Sequence, residues 1–537
     1  MSDFPPGSSY GPLGSAAELE AFERLKLRLP DTARAILHQP GFQHTTVVVP
    51  SISVNQEELR KISGAAFYEE RLLFTLIRLA NPAARLVYVT SQPVHPDILE
   101  YYLQHLPGVP MRHALRRLLI LRLYDASPRP LTEKILERPR VIRRIRDWVG
   151  DVDRAYLTVF NSTPLERRLA VELGVPLNAV DPALLWLGTK SGAKLVFEEA
   201  GVPFPAGRTG VRSETDVTQA LVELAGKRPG LRQAIVKLND SFAGEGNAIY
   251  TYPDALPEAP EQRSTEIQGA LPSLAFAGQG EQYGPFMRKL TEMGGIVEER
   301  IEGKEFFSPS VQLRIHPDGE LALVSTHDQV LGGESAQAYV GCRFPAADGY
   351  RALIQEAGLK IGRVLAERGV LGRFGIDFVL SRDPGGPWQA HAIEINLRMG
   401  GTTPPFMALE FLTGGKLDLD TGLYHTANGA RKYYTATDHL RSPAYRGLLP
   451  EDLVELLVSH RLHFNHSTNS GVLFYMIGAL SQYGKLGLTS IGNSHDEADE
   501  LYRTTVGILD RETGAEGPVG IDLPRALFSE ASPTRLE

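Results

Sequence analysis

The sequence predicts a chain of mixed α/β and α+β architecture, divided into several domains. Three observations predict it. The chain has 537 residues, more than one hydrophobic core usually organises. Through the first third, β-branched runs alternate with helically spaced apolar residues, the pattern of right-handed crossovers in a mostly parallel sheet. Further on, Pro317-Asp318-Gly319 and Asp383-Pro384-Gly385-Gly386 each separate two strand-like runs, the pattern of antiparallel hairpins.

Residues 1–19 begin Pro/Gly/Ser-rich and read as a flexible N-terminus. Residues 20–185 read as one doubly wound domain. Strands are expected at 45–51, 85–90 and 156–160, and helices at 96–106 and 164–173. A further helix is expected over 56–79 from the spacing of Leu59, Ile62, Ala66, Tyr68, Leu72, Leu76 and Leu79. Residues 186–412 read as a second domain. It starts with a helix over 191–200 that stops at Gly201. A lid of about 232–300 carries strands 233–238 and 248–251 and an insertion, 252–292, that turns helical near 283–293. Two hairpins, 313–315 with 321–325 and 374–380 with 390–397, flank a helix over 352–368. Residues 413–450 read as a loop-rich linker. Residues 451–513 read as a small α+β unit with strands 472–477 and 487–491 and a helix over 496–506. Residues 514–537 read as a loose tail, and no internal repeat is evident.

Composition narrows the function. The 42% hydrophobic and 22% charged residues are those of a soluble globular protein rather than a disordered one. A net charge of −8 argues against nucleic acid as the main partner, because a phosphate backbone asks for a basic surface. Arg116, Arg117, Arg122, Arg138, Arg140, Arg143, Arg144 and Arg146 make 112–147 locally basic. A solvated helical face is the plain reading, and a docking surface for an anionic substrate or partner the sharper one. Cys342 stands alone, so neither an internal disulfide nor a cysteine-rich metal site is available, and it reads as a packing residue. No signal peptide, anchor or spanning run is seen, which makes no membrane and a cytoplasmic location the expectation.

The chemistry concentrates in four places. On the second hairpin, Glu394, Asn396 and Arg398 alternate with Ile393, Ile395 and Leu397, and Asp377 lies between apolar neighbours on the partner strand. Period two puts the polar set on one face, where two carboxylates and an amide oxygen make a hard site suited to Mg²⁺. Arg398 can balance charge on a transferring phosphoryl group. Lys237 leaves the strand Ala234-Ile235-Val236 into a loop with Ser241, Gly244 and Gly246, a setting in which a lysine and backbone N–H groups hold phosphate. Lys190 opens the helix before Gly201. Glu298-Glu299-Arg300-Ile301 ends a strand in an acidic link, followed by Glu305. Each pattern also occurs as ordinary structure: a polar sheet face, a plain turn, a surface lysine, an acidic loop.

Their order resembles the ATP-grasp superfamily over about residues 185–410. The resemblance implies that ATP sits between two α+β subdomains, after a Rossmann-like pre-ATP-grasp domain. Lys190 and Lys237 would contact its phosphates, the backbone of residues 298–301 its adenine, and Glu305 its ribose. Asp377, Glu394 and Asn396 would bind Mg²⁺, two ions by expectation. The runs Glu394 to Thr403, His327 to Gly333 and Gly471 to Gly478 resemble pheganomycin-type peptide ligases over about residues 45–510. Such enzymes join an unusual amino-acid carboxylate to the amine of a peptide through an acyl-phosphate. The implied partners are a small carboxylate and an amine or peptide, in natural-product biosynthesis; an oligomer is compatible. Many relatives place an arginine two residues before the metal aspartate. Here that position is Gly375, leaving Arg373 or Arg398 for its role. Gly400 to Pro405 is expected to shape the acyl pocket.

Two rival readings keep the nucleotide site: an acid–thiol ligase or small-molecule kinase, and a non-catalytic nucleotide-binding protein. His460, His463 and His466, with His425 and His439 upstream, suggest a metal site only weakly, because a three-residue step drifts around a helix.

Overall fold

The structure is a computed structural model that describes residues 10–54, 56–106, 108–240, 246–257, 259–278, 280–332 and 338–515. The N-terminal domain is a parallel sheet. β1 (His44–Val49), β2 (Ala84–Thr90), β3 (Leu118–Arg122) and β4 (Ala155–Val159) lie in the order β3-β2-β1-β4. Val47, Val48 and Val49 are wholly buried, as expected where crossovers cover both faces of a parallel sheet. The helix expected over 56–79 is two pieces, an α-helix Gln56–Lys61 and a run of 3₁₀ turns Ala65–Ala80. They break at Gly64, whose φ of 73° an α-helix does not accommodate. β3 falls inside the basic stretch. Arg140, Arg143, Arg144 and Arg146 are exposed around the helix Pro139–Val149, a solvated face, while Arg117 donates to the carbonyls of Leu79, Asn81 and Ala84.

A second, antiparallel sheet comprises β5 (Gly207–Val211), β6 (Gln233–Leu238), β7 (Asn247–Thr251), β8 (Ala275–Phe276) and β9 (Gly295–Glu299), in the order β5-β9-β6-β7-β8. In the stretch 252–292 the helix expected near 283–293 is present, and a second, unexpected one precedes it. These helices, Pro260–Ala270 and Tyr283–Met293, supply Ile267, Phe286 and Leu290 to the core under this sheet.

The third sheet is the largest. It contains β10 (Glu305–Phe307), β11 (Pro309–Ile315), β12 (Leu321–Gly332), β13 (Ala338–Phe344), β14 (Gly372–Arg382), β15 (Gln389–Asn396), β16 (Lys416–Leu417), β17 (Tyr424–His425), β18 (Arg431–Arg441), β19 (Gly471–Tyr475) and β20 (Lys485–Gly492). The expected hairpins are β11–β12, turning with Gly319 at φ 89°, and β14–β15, turning with Gly385 at φ 77°. Residues 413–450 are not loop-rich: they contain the eleven-residue β18, which pairs with β13 on one side and β20 on the other. β19 and β20 therefore continue the large sheet.

The C-terminal strands also dock on the N-terminal domain. Tyr101 Oη accepts from Phe474 N at 2.9 Å, and Tyr102 Oη donates to Phe474 O at 3.3 Å. One hydrophobic cluster runs through Tyr88 and Tyr102, through Phe406 and Leu409 of the helix Thr403–Thr413, and into Tyr434, Phe474 and Leu488. Cys342 is wholly buried there, its thiol pushed up to about 12 by burial, so it packs rather than reacts. No helix among the described residues is long and apolar enough to cross a membrane.

Candidate active site

The expected site residues lie on the five-stranded sheet, the large sheet and the helix Lys190–Glu199. On the large sheet, Asp377 of β14 stands opposite Glu394 of β15, and Gly375 opposite Asn396. An irregularity between Asp377 and Phe378 leaves Ile393 unmatched, so the alternation that exposes Glu394 and Asn396 restarts just before them. Asp377 accepts from Asn396 Nδ2 at 2.9 Å and from Gln329 Nε2 of β12 at 2.7 Å. Burial raises the pKa of the Asp377 carboxyl, and the facing Glu394 raises it further. Glu394 is held below the ordinary range: burial works against this, but Lys190, 2.5 Å from Oε1, and then Arg398 and Lys237 outweigh it. Arg398 stays beside the pair with its guanidinium on the Met399 carbonyl at 3.1 Å.

Lys190 is placed by its helix start. Thr189 accepts from Gly192 N at 3.1 Å, and Lys190 N donates to Asn239 O at 3.1 Å, tying the helix Lys190–Glu199 to the loop after β6. The Asn239 side chain accepts from Ser191 N at 3.0 Å and donates to Met293 O at 3.1 Å, closing this corner.

On the five-stranded sheet, Lys237 and Glu298 lie on the neighbouring strands β6 and β9. Lys237 Nζ is 2.5 Å from Glu298 Oε1, and Lys194 Nζ is 2.6 Å from Oε2. Burial would raise the Glu298 carboxyl, but the two lysines outweigh it and hold the pKa low. Burial lowers the Lys194 ammonium, with Glu298 opposing that shift. Sequence reasoning missed Lys194 and named Gln329 only within a motif. The signal for Lys194 was its spacing: four residues after Lys190, it shares that helix's face.

The other expected residues fall as follows. Glu299 faces away from Glu298; its carboxylate accepts from Ala206 N at 2.8 Å and pairs with Arg228 at 3.0 Å. Ile301 is half-buried just beyond β9. Glu305 on β10 is held by Arg382 at 2.5 Å, whose guanidinium lies 4.0 Å over the Trp388 ring. Gly246 accepts from Leu238 N at 2.9 Å, while Ser241 and Gly244 lie outside the described residues. At Gly375 a Cβ would meet the Gln312 amide at 2.9–3.0 Å, so glutamine occupies the space a side chain there would need. Arg373 groups instead with Arg314, Arg78 and Glu410, 3.7 Å from the last. Among the described residues, His460, His463 and His466 form no metal-ligand cluster.

Asp377, Glu394 and Asn396 thus come together on two strands, with Lys190 on Glu394, and with Lys237 and Lys194 on Glu298 of the five-stranded sheet, the arrangement expected of an ATP-grasp site. Comparison with known proteins agrees. A family model described as IQCH-like, ATP-grasp matches residues 183–268 and 275–420, and one described as PGM1 C-terminal domain matches residues 452–505. The chain is 30% identical over 489 residues to an L-propargylglycine–L-glutamate ligase of Streptantibioticus cattleyicolor, covering 90% of this chain and 97% of that protein. It is 23% identical over 449 residues to IQ motif-containing protein H of Danio rerio, covering 76% of this chain but 42% of that longer protein. In fold it is similar to the biotin carboxylase of Campylobacter jejuni, at a TM-score of 0.51 and 11% identity, covering 88% of this chain and 95% of that one. The chain belongs to the ATP-grasp superfamily, in the family of pheganomycin-type peptide ligases, and is an ATP-grasp ligase.

Proposed function

We propose that this ligase joins the carboxylate of one amino acid to the amine of a second amino acid or peptide, with ATP and Mg²⁺. The observation that carries the reading is the Asp377–Glu394 pair. Two carboxylates face each other on adjacent strands, and burial together with mutual repulsion pushes the proton affinity of one upward. Such a surplus of negative charge in hard oxygens suits Mg²⁺, and Asn396 adds an amide oxygen. Asp377, Glu394 and Asn396 would hold the metal, two ions by our reading, and the metal would offset charge on the phosphates of ATP.

This chain's own residues would do the rest. Lys190, at the start of its helix, and Lys237, on the five-stranded sheet, grip the phosphates, with Ser241, Gly244 and Gly246 as further ATP contacts in our reading. The backbone beyond Glu298, through Glu299 and Ile301, meets the adenine, and Glu305 the ribose. A substrate carboxylate oxygen attacks the γ-phosphorus, ADP leaves, and Arg398 stabilises the charge that develops. The amine nitrogen then attacks the acyl carbon, phosphate leaves with the bonding electrons, and the amine loses its proton. The lid, about residues 232–300, keeps water from the acyl-phosphate. The relative named above acts, by its name, on two amino acids, which supports amino-acid substrates here.

A hydroxylamine trap tests this. The protein is incubated with ATP, Mg²⁺ and a panel of amino acids and other carboxylates, with Glu394→Gln as control, and hydroxamates and ADP are read by mass spectrometry. A hydroxamate that depends on Glu394 is the expected result. ADP without hydroxamate would favour a kinase, and neither product across the panel would overturn the ligase assignment.

A further inference from the structure

Two lysines serve Glu298, and they are held differently. Lys194, on the helix Lys190–Glu199, is 7% exposed. Its ammonium lies 2.6 Å from Glu298 Oε2, donates to the Pro205 carbonyl at 2.8 Å and stands 4.9 Å over the Phe204 ring. Three contacts therefore fix it. Lys237, near the end of β6, has one partner among the described residues, Glu298 Oε1 at 2.5 Å. Its charge lowers the proton affinity of Glu298 and also that of Glu394 on the large sheet, so both carboxylates feel the same ammonium.

The balance of charge shows what the second lysine adds. Two ammoniums and one carboxylate leave this group with a positive charge in excess. A lysine that turns from its carboxylate to a ligand abandons a buried anion, which is strongly unfavourable when nothing else neutralises it. Glu298 keeps Lys194 when Lys237 turns away. The excess charge is then the one on Lys237, and it can meet a phosphate oxygen without leaving an anion bare. The same helix carries Lys190 to Glu394 one turn earlier, so a single element supplies an ammonium to each carboxylate.

We propose that Lys194 is a positioning residue: it keeps Glu298 neutralised so that Lys237 is free to hold a phosphate of ATP. The inference rests on the reading of Lys237 as a phosphate grip. Lys194 itself touches no nucleotide and acts through Glu298. Without Lys194, Glu298 has Lys237 as its remaining ammonium, and the nucleotide must compete with a buried carboxylate for it.

The test measures binding of β,γ-imido ATP with Mg²⁺ by calorimetry, on the full chain and on folded variants of it. Lys194→Met keeps the buried stem but removes the charge, and affinity should fall about tenfold, the low end of a charge-assisted bond. Lys194→Met combined with Glu298→Gln removes the cation together with the anion it neutralises, and affinity should return most of the way. Adding Lys237→Met to that pair should abolish the return. A lysine that only braced the fold would not be rescued by a second substitution at its partner. Unchanged affinity in Lys194→Met, no return in the double variant, or a return that survives the loss of Lys237 would each overturn the proposal. If Lys194→Met alone does not fold, the double and triple variants decide it. Lys237→Met by itself separates two failures. If it binds normally, the phosphate grip is wrong and this inference falls with it. If it binds weakly while Lys194→Met binds normally, the inference falls alone.

Discussion

Glu298 on the five-stranded sheet and Asp377 on the large sheet are both carboxylates withdrawn from water, and their proton affinities move in opposite directions. Glu298 has an ammonium on each oxygen, from Lys237 and Lys194, and its pKa falls. Asp377 has two amide donors and a facing carboxylate, Glu394, that takes Lys190 for itself, and its pKa rises. Desolvation acts the same way on both, so the count of neighbouring charges decides the outcome. The Glu298 group is neutralised by the protein itself. The other carries a deficit that a divalent cation would fill.

The largest expected effect breaks the balanced side. Glu298→Ala leaves two buried ammoniums without their anion, and removal of one partner of a buried pair costs about 3–5 kcal/mol. Urea unfolding at neutral pH reads this directly. A loss under about 1 kcal/mol would mean that solvent already reaches Lys194 and Lys237. The next breaks the unbalanced side. Glu394→Gln keeps an oxygen for Lys190 but removes one of the two facing charges. Its folding should survive while ADP formation falls at least about 100-fold, the scale of a lost electrostatic contact in a transition state. Wild-type turnover would remove Glu394 from the metal set. Lys237→Ala sharpens the comparison because it touches both halves: Lys194 still neutralises half of Glu298, and the lysine that reaches toward Glu394 is gone. ATP affinity should weaken about tenfold, or 1.4 kcal/mol, as read by equilibrium dialysis, and unchanged affinity would count against the phosphate grip.

Much of this was legible along the chain, and the exceptions share a cause. The Asp377, Glu394 and Asn396 set could be read because period-two alternation and a hairpin turn are local, and the structure places the three together. Lys190 and Lys237 could be named, but not their partners, since each ion pair joins residues far apart in sequence. Gln329 reaches Asp377 across two strands, and nothing near it in sequence announces that contact. β18 was hidden for a related reason. Lys432, Thr435 and Asp438 look like loop residues, yet they are buried, with Lys432 on Asn493, Thr435 on Asp499 and Asp438 near Arg71. Polar residues satisfied by distant partners erase the apolar alternation that marks a strand. The helix expected over 56–79 failed differently: its apolar spacing was real, but Gly64 and packing on both sides favoured 3₁₀ turns.

The smallest effect concerns a third buried carboxylate, without a lysine partner among the described residues. Glu70, 3% exposed, accepts from Gly478 N of the C-terminal region at 2.9 Å and stands next to the buried Glu69. Burial pushes Glu70 up to about 7; the Gly478 amide opposes this and Glu69 adds to it. The folded-state value lies above that of the unfolded chain. Protonation therefore favours the folded state: the contribution is complete below about pH 4.3 and is lost as pH rises through 7. Between those limits the slope approaches about 1.4 kcal/mol per pH unit. Glu70→Gln keeps an acceptor for Gly478 and carries no charge, so it should match the unaltered chain at about pH 4 and be more stable at about pH 8, with the gap in melting temperature widening between about pH 4.3 and 7 and level above that. A variant equally stable at both, relative to the unaltered chain, would mean that the carboxylate ionises freely and that the N- and C-terminal regions part around it more readily than their shared core implies.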